Sequence, residues 1–398
     1  MGRLGPVRWR GEEHRLATER IVNEPFDLRA KPRYGLVIDR LAWWYDLPRE
    51  WLKKVSLGNE VYLLNNPFTF QAMEKHSAYV AMMRLGLKVP ETWMVPHKAP
   101  SPIARFEYMR SKFADVASKY NVPFDLVEIA EEIGYPLYMK PFDGGQWVGV
   151  TRIENAQELK ERYDASGERL MHLQAAVADF DVFVRSLSIG AETMTMHFDP
   201  DAPMHLRYVV DHEFLAPELG WEVVTISRLV NAFFLWEFNS CEVLVKGDGV
   251  YPIDYANASP DVALTSLHYY FPWAITTLVK WCAFCTVTGR PMRVSQDLGP
   301  YLAVGDRDDL SYAQKLAEYR QLTEDHFQTK AYAEFCAESL PHLDGLALEW
   351  FASGEFDALL VEVVTATFPA HEHEEMVARH RGLVGQWMRE QEAATARR

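Results

Sequence analysis

The stretch YMKPFDGGQWVGV, residues 138–150, constrains this chain most. Residues 133 to 140 read as a buried strand, and Lys140 stands at its end, followed at once by Pro141 and the paired glycines Gly144 and Gly145. A lysine in that position delivers its ammonium where side-chain-free backbone can turn several N–H groups toward one point. Such a place is a cradle for phosphate. Taken alone, the same residues also read as a Gly-Gly hairpin with an exposed lysine.

In GDGVYPIDYANASPD, residues 247–261, a two-residue turn at Asp248-Gly249 leads into the short strand VYPID, which ends in Asp254 and is followed by Asn257. Upstream, CEVLV carries Glu242 on the strand that would pair with it. Two antiparallel strands joined at Asp-Gly present Glu242, Asp254 and Asn257 near one another. Mg²⁺ takes oxygen ligands of this kind, and it commonly uses only one or two protein carboxylates, completing its octahedron with water and phosphate oxygens. A sparse acidic set opposite a phosphate cradle suits it. A hairpin with acidic residues at its ends is the plainer reading of that segment alone.

The lysine and Gly-rich loop, followed downstream by a DG hairpin ending in A-N-x-S-P, resembles the ATP-grasp superfamily. The phrase ANASP is most similar to the D-alanine–D-alanine ligase branch. Residues 73–95, MEKHSAYVAMMRLGLKVPETWMV, resemble the helix and Val-Pro turn that enter the family's ATP-binding domain, with Lys75 in the place of its first nucleotide-contacting lysine. Residues 171–190, MHLQAAVADFDVFVRSLSIG, resemble the hinge strand that meets adenine, at Gln174 and Val177, and then the strand that meets ribose, at Asp181. Glu242 matches the first metal-binding acid. The family has Glu-x-Asn at the second metal position; here Tyr255 stands two residues before Asn257, and the acid comes one residue earlier, at Asp254. Either Asp254 reaches the metal through a local bulge, or the second metal is weakly held. The resemblance covers residues 61 to 290 and rests on the order of its motifs more than on any one of them.

What the resemblance implies is an α+β ATP-grasp fold using ATP and Mg²⁺. Lys75 and Lys140 would hold phosphates, Gly144 and Gly145 would cap them, and Glu242, Asp254 and Asn257 would hold the metal. The reaction would join a small-molecule carboxylate to an amine, or to a thiol, with ADP and phosphate released through an acyl phosphate. Arg207 and Arg228, between the hinge and the metal hairpin, are candidate catalytic arginines, since a bidentate guanidinium can stabilise transferring phosphate or bind a carboxylate. Either also reads as a surface ion-pair partner. A phosphotransferase on the same fold and a nucleotide-binding regulatory protein without turnover are the competing functions. The family is often dimeric.

Composition agrees with an enzyme of this kind. The 398 residues suffice for two or three subdomains, and 48% hydrophobic residues can bury a sizeable core. A net charge of -15 argues against nucleic acid as partner, because a phosphate backbone needs a basic face. The four cysteines form no spaced framework, which points to a reducing, cytoplasmic setting, and the first residues contain no apolar signal core. The apolar run YYFPWAITTLVKWCAFCTVT, residues 269–288, is broken by Lys280 and reads as a buried helix behind the metal hairpin rather than a membrane span. Its Cys282 and Cys285 read as packed core thiols.

Three regions follow: a short α/β piece at 1–70, the ATP-grasp domain at 71–295 and a helical C-terminal appendage at 296–398. In the first, RYGLVIDR and EVYLLNNP read as strands around the helix PREWLKKVSL, and Asp39 and Arg40, at a strand end, are candidate substrate contacts. In the last, DLSYAQKLAEYRQL, AYAEFCAESL and EHEEMVARHRGLVGQWM each show a helical apolar face. His371 and His373 cannot share a helix face as a zinc protease would require, so HEHEEMVARH reads as a solvated helix start.

Overall fold

The computed structural model describes residues 1–22, 24–58, 61–69, 74–98, 123–145, 147–255, 257 and 259–396. At the N-terminus a hairpin of β1 (Pro6–Trp9) and β2 (Glu12–Arg15) precedes a parallel pair, β3 (Leu36–Ile38) and β4 (Tyr62–Leu64), joined through α1 (Asp46–Leu57). The strand, helix and strand read from the sequence are these last three. The β1-β2 hairpin had no apolar alternation to announce it; it is held by the C-terminal region, with the Trp9 ring 5.2 Å from that of Phe335.

Helix α2 (Lys75–Arg84) leads into a four-stranded antiparallel sheet of β5 (Thr92–Val95), β6 (Leu137–Pro141), β7 (Thr151–Ile153) and β8 (Met171–Ala175), in the order β5-β8-β6-β7. The strand expected from residue 133 begins at Leu137 instead. Asp125 caps α3 (Leu126–Ile133) by accepting from the Val127 and Glu128 N–H groups, and Gly134, at φ +87°, ends it. Alternation then sorts the side chains. Leu137, Met139, Met171 and Leu173 join Ala130 of α3 and Leu159 of α4 (Ala156–Ser166) in a small core of their own. Lys140, His172 and Gln174 point to the other face.

The second sheet has five antiparallel strands, β9 (Val182–Ile189), β10 (Glu192–Phe198), β11 (Tyr208–Val209), β12 (Phe238–Lys246) and β13 (Gly249–Asp254), ordered β11-β10-β9-β12-β13. Helix α5 (Pro217–Phe234) covers one face, where Ser227 meets Ser186 (Oγ–Oγ 2.7 Å) and Asn231 accepts from Asn239 (2.9 Å). Arg185 and Glu242, one residue along from Ser186 and Cys241, therefore project from the opposite face. After the short α6 (Leu264–Leu267), α7 (Phe271–Val287) packs on that face beyond the acidic residues. Gly190 permits this approach, since a Cβ there would lie 1.9 Å from the Trp281 ring. This is the buried helix read from residues 269–288, and among the described residues no helix is long and apolar enough to cross a membrane. Cys282 and Cys285 are free buried thiols with pKa pushed up by burial, to about 12 for Cys282, which makes them inert packing groups.

The C-terminal region is helical: α8 (Gly299–Gly305), α9 (Tyr312–Phe327), α10 (Thr329–Ser339), α11 (Leu343–Phe351), α12 (Gly354–Thr367) and α13 (His373–Ala396). It shares one continuous buried core with the N-terminal piece and the five-stranded sheet. A knot of polar groups crosses all three: Glu237 accepts from Trp281 Nε1 (2.8 Å) and pairs with Arg290, whose Nε donates to the Tyr62 hydroxyl (2.7 Å) and whose Nη2 donates to the His326 carbonyl (2.9 Å). One expectation is corrected in part here. His371 is exposed, but His380 is fully buried, bonded to the carbonyls of Met376 and Thr265.

Candidate functional site

The hairpin β12-β13 is the foundation. Its turn residues are Gly247 and Asp248, one position earlier than expected from the Asp-Gly pair, since Lys246 is in register with Gly249 and Gly247 takes the positive φ (+59°) that the first turn position favours. At the other end the register slips. Val243 faces Pro252, yet Glu242 faces Asp254, so Ile253 is an extra residue in β13. A bulge of this kind reverses the alternation beyond it. Asp254 thereby joins Glu242 on one face, while Tyr255 turns inward, fully buried with its ring 5.5 Å from that of Tyr79. Asp254, not Tyr255, is the acid beside Glu242. The freed Ile253 carbonyl accepts from the Tyr79 hydroxyl at 2.8 Å.

Two lysines reach this corner from the four-stranded sheet's side. Lys75, the first residue of α2, donates to Asp254 Oδ2 at 2.6 Å. Lys140, near the end of β6, donates to Gln174 Oε1 at 2.7 Å and lies 3.5 Å from the Ile253 carbonyl. Gln174 in turn donates to Thr92 Oγ1 at 2.8 Å, so its amide bridges β5 to Lys140. On the acidic side Arg185 pairs with Glu242 at 3.3 Å and stacks over the rings of Phe198 and Tyr208.

Burial sets the electrostatics. It pulls the Lys140 ammonium down to about 8, a fall that Lys75 reinforces and that Asp254 and Glu242 resist. For Lys75 burial also acts downward, but the attraction and hydrogen bond of Asp254 outweigh it and the pKa ends above the ordinary lysine value. Burial raises the Glu242 carboxyl against the pull of Arg185, and the neighbouring charge of Asp254 adds to the rise. Burial likewise lowers His172, beside these lysines, to about 3, leaving a neutral imidazole.

The remaining expected residues separate. Asn257 stays with the hairpin, its Nδ2 3.2 Å from Ser240 Oγ and its Oδ1 accepting from the Ser259 N–H. Ala256 and Ala258 of the same phrase lie outside the described residues. Gly144, at φ +95°, and Gly145 stand in open space. Val177 packs against the main core. Asp181 accepts from the Gly247 N–H at 2.7 Å, locking the hairpin turn at the far end of β13 from Asp254. Neither expected arginine reaches the acids: Arg207 Nε donates to the Ala202 carbonyl (3.0 Å) and closes its own loop, and Arg228 Nη2 donates to Ala191 (2.5 Å), at the turn between β9 and β10. Asp39 caps its own turn through the Leu41 and Ala42 N–H groups. Arg40 instead clasps the loop past Asn257, donating to the Pro260 carbonyl at 2.7 Å with its guanidinium over the Phe238 ring.

Arg185 was not singled out from the sequence. Its signal was there, a lone charge inside the apolar strand VFVRSLSI. Two carboxylates on one face suit Mg²⁺, which needs few protein oxygens, and among the described residues no larger group of acidic, His or Cys ligands gathers anywhere. A cavity of about 390 Å³ lies elsewhere, between the β10 edge and α13, lined by Asp211, Tyr269, Trp273 and Glu390, and none of the expected site residues lines it.

No protein-family model matches the chain, and no curated protein matches it. Similar solved structures include D-alanine–D-alanine ligase from Bacillus anthracis complexed with ATP, 14% identical over 64% of this chain and 80% of that one, with a TM-score of 0.47. A RimK domain ATP-grasp protein from Sphaerobacter thermophilus is 17% identical over 57% of this chain and 74% of its own, with a TM-score of 0.37. An ATP-grasp ligase complexed with a minimal precursor, Mg and ADP is 15% identical over 54% of this chain and 58% of its own, with a TM-score of 0.34.

Proposed function

We propose that this chain is an ATP-dependent ligase that joins a carboxylate to an amine and releases ADP and phosphate through an acyl phosphate. The observation that carries the reading is the corner itself. Two buried lysines, Lys75 from α2 and Lys140 from the four-stranded sheet, meet two carboxylates of the five-stranded sheet that the bulge at Ile253 brings onto one face. Lys75 and Lys140 would hold the phosphates by charge, with Gly144 and Gly145 offering backbone N–H groups. Gln174 and Val177 would meet the adenine and Asp181 the ribose. Glu242 and Asp254, with Asn257 after its amide turns, would hold Mg²⁺, which supplies charge neutralisation at the β and γ oxygens.

In the first step a substrate carboxylate oxygen bonds to the γ phosphorus and the bond to ADP breaks. In the second the amine nitrogen bonds to the acyl carbon, phosphate leaves, and the amine proton is released. Arg185, rather than Arg207 or Arg228, would be the arginine of the reaction. Paired with Glu242 and with its Nε buried without a partner, Arg185 would stabilise the transferring phosphoryl group by its charge. Arg40, whose guanidinium holds the loop past Asn257 through the Pro260 carbonyl, would meet the acceptor. The test is interception: with ATP, Mg²⁺ and a panel of carboxylates, hydroxylamine should yield a hydroxamate and make ADP release independent of amine. A stable phosphate ester with no hydroxamate across the panel would replace the ligase by a phosphotransferase, and no ADP release at all would leave a binding protein.

A further inference from the structure

His172 and His76 occupy the lysine corner, and neither has a part in the chemistry of the lysines and acids. His172 sits on β8 in register with Lys140 on β6, so both side chains leave the sheet on the same face, about 5 Å apart at Cβ. It is 1% exposed, and neither ring nitrogen has a hydrogen-bond partner. His76, the second residue of α2, lies against it with ring centroids 5.9 Å apart, and its Nδ1 is buried without a partner as well. Tyr79 closes the third side, edge-on to His172 at 5.8 Å, but its hydroxyl is committed to the Ile253 carbonyl. Three orphaned ring nitrogens in one pocket are unusual, because buried polar groups almost always find a partner.

The charges around them say what that partner is. Burial, then the neighbouring His76, Lys75 and Lys140, keep the His172 imidazole neutral, and the two ammoniums make the pocket hostile to a further cation. A neutral imidazole offers one N–H donor without adding a further buried charge. An anionic oxygen is the group that satisfies an N–H and welcomes two ammoniums. We propose that His172, steadied by His76, donates its ring N–H to a phosphate oxygen of the bound nucleotide. The inference rests on the ATP reading of the site and extends it to a residue type that the lysine and acid pattern does not include. His172 is thus a binding residue that reads the phosphate chain, while Gln174, two positions along the same strand face, lies toward β5.

The test is calorimetry of ATP, ADP and adenosine binding to the full chain and to His172→Phe and His172→Gln. Loss of at least tenfold in ATP and ADP affinity in His172→Phe, with adenosine binding unchanged and much of the loss restored in His172→Gln, is the expected result. An equal loss for adenosine would make the residue structural, and ATP affinity within twofold of the unmodified chain would remove the proposal outright. Should neither variant fold, histidine ¹⁵N spectra of the unmodified chain decide it: a His172 ring-nitrogen shift on adding ATP but not adenosine supports the contact, and no shift on ATP overturns it. If the unmodified chain binds no ATP, the ATP reading fails first and this inference falls with it.

Discussion

Lys140, which would bind phosphate in the proposed function, is a buried cation that costs the fold stability, and Lys140→Met should separate the two. A pKa lowered from 10.5 to about 8 corresponds to roughly 3 kcal/mol set against the charged form at 1.36 kcal/mol per pH unit. Methionine removes that burden and fills similar space. It also strips Gln174 Oε1 of its donor, which returns about 1 to 2 kcal/mol of cost. Near pH 7 the variant should therefore be more stable than the parent by about 1 to 2 kcal/mol. The pH dependence carries the sign. Between about 8 and 10.5 the unfolded chain holds a proton on Lys140 that the folded chain has released, so the parent gains stability as pH rises through this window, and the variant lacks that gain. The variant's advantage should shrink from pH 8 upward and reverse near pH 10. Urea unfolding of both proteins at pH 7, 8, 9 and 10, with m unchanged, measures it. A variant less stable than the parent at pH 7, or a difference flat across the series, would refute the claim that a strained buried cation sits at this corner. In the same variant ATP affinity should fall by about 1.5 to 3 kcal/mol, the scale of a hydrogen bond to a charged group.

Four further outcomes follow from the same geometry. Glu242→Gln should stay folded while Mg²⁺-dependent ATP turnover drops at least about tenfold, equivalent to 1.36 kcal/mol in the barrier, and full activity would place the metal elsewhere. Tyr255→Glu, which makes the motif look more like Glu-x-Asn, should destabilise by about 3 kcal/mol or more in denaturant titration, because it buries a charge in the core against Tyr79; unchanged stability would mean the residue can turn outward. Tyr255→Phe should be neutral or stabilising by up to about 1 kcal/mol, since its hydroxyl is buried without a partner, and a loss beyond that would reveal a hidden bond. Gly190→Ala should lower stability by several kcal/mol, about 3 or more, through its clash with Trp281 and its positive φ of +55°, and a melting temperature equal to the parent's would show that the helix can shift aside.

Local chemistry made part of this site legible in the one-dimensional chain. The Gly-rich loop after Lys140, the hairpin between Glu242 and Asp254 and the apolar faces of α9, α10 and α13 all arise from residues close in sequence, whose spacing maps directly onto strand, turn or helix. Even the uncertainty at Asp254 was visible there, as an acid one position out of phase. Its resolution was not. Whether an out-of-phase acid turns outward depends on a bulge, and this bulge sits where Tyr79 of α2 and Lys140 of the four-stranded sheet approach the spare Ile253 carbonyl. No residue near Asp254 announces them.

The arginines teach the same lesson from the other side. Arg207 and Arg228 lie between two motifs in sequence, yet each spends its guanidinium on a nearby carbonyl. Arg185 meets Glu242 only because β9 and β12 are neighbours in the sheet although 57 positions separate the two residues, a pairing set by the order β11-β10-β9-β12-β13. The buried pair of His172 and His76 is likewise a product of α2 lying across β8. Sequence alone therefore determined the hairpin, the Gly-rich loop and the helical faces named above and which carboxylates and lysines they carry, because backbone propensity and side-chain alternation act over a few residues. Only the tertiary structure decided which charges meet, because burial and the pairing of distant strands set the partner, the protonation and the direction of every group at the corner.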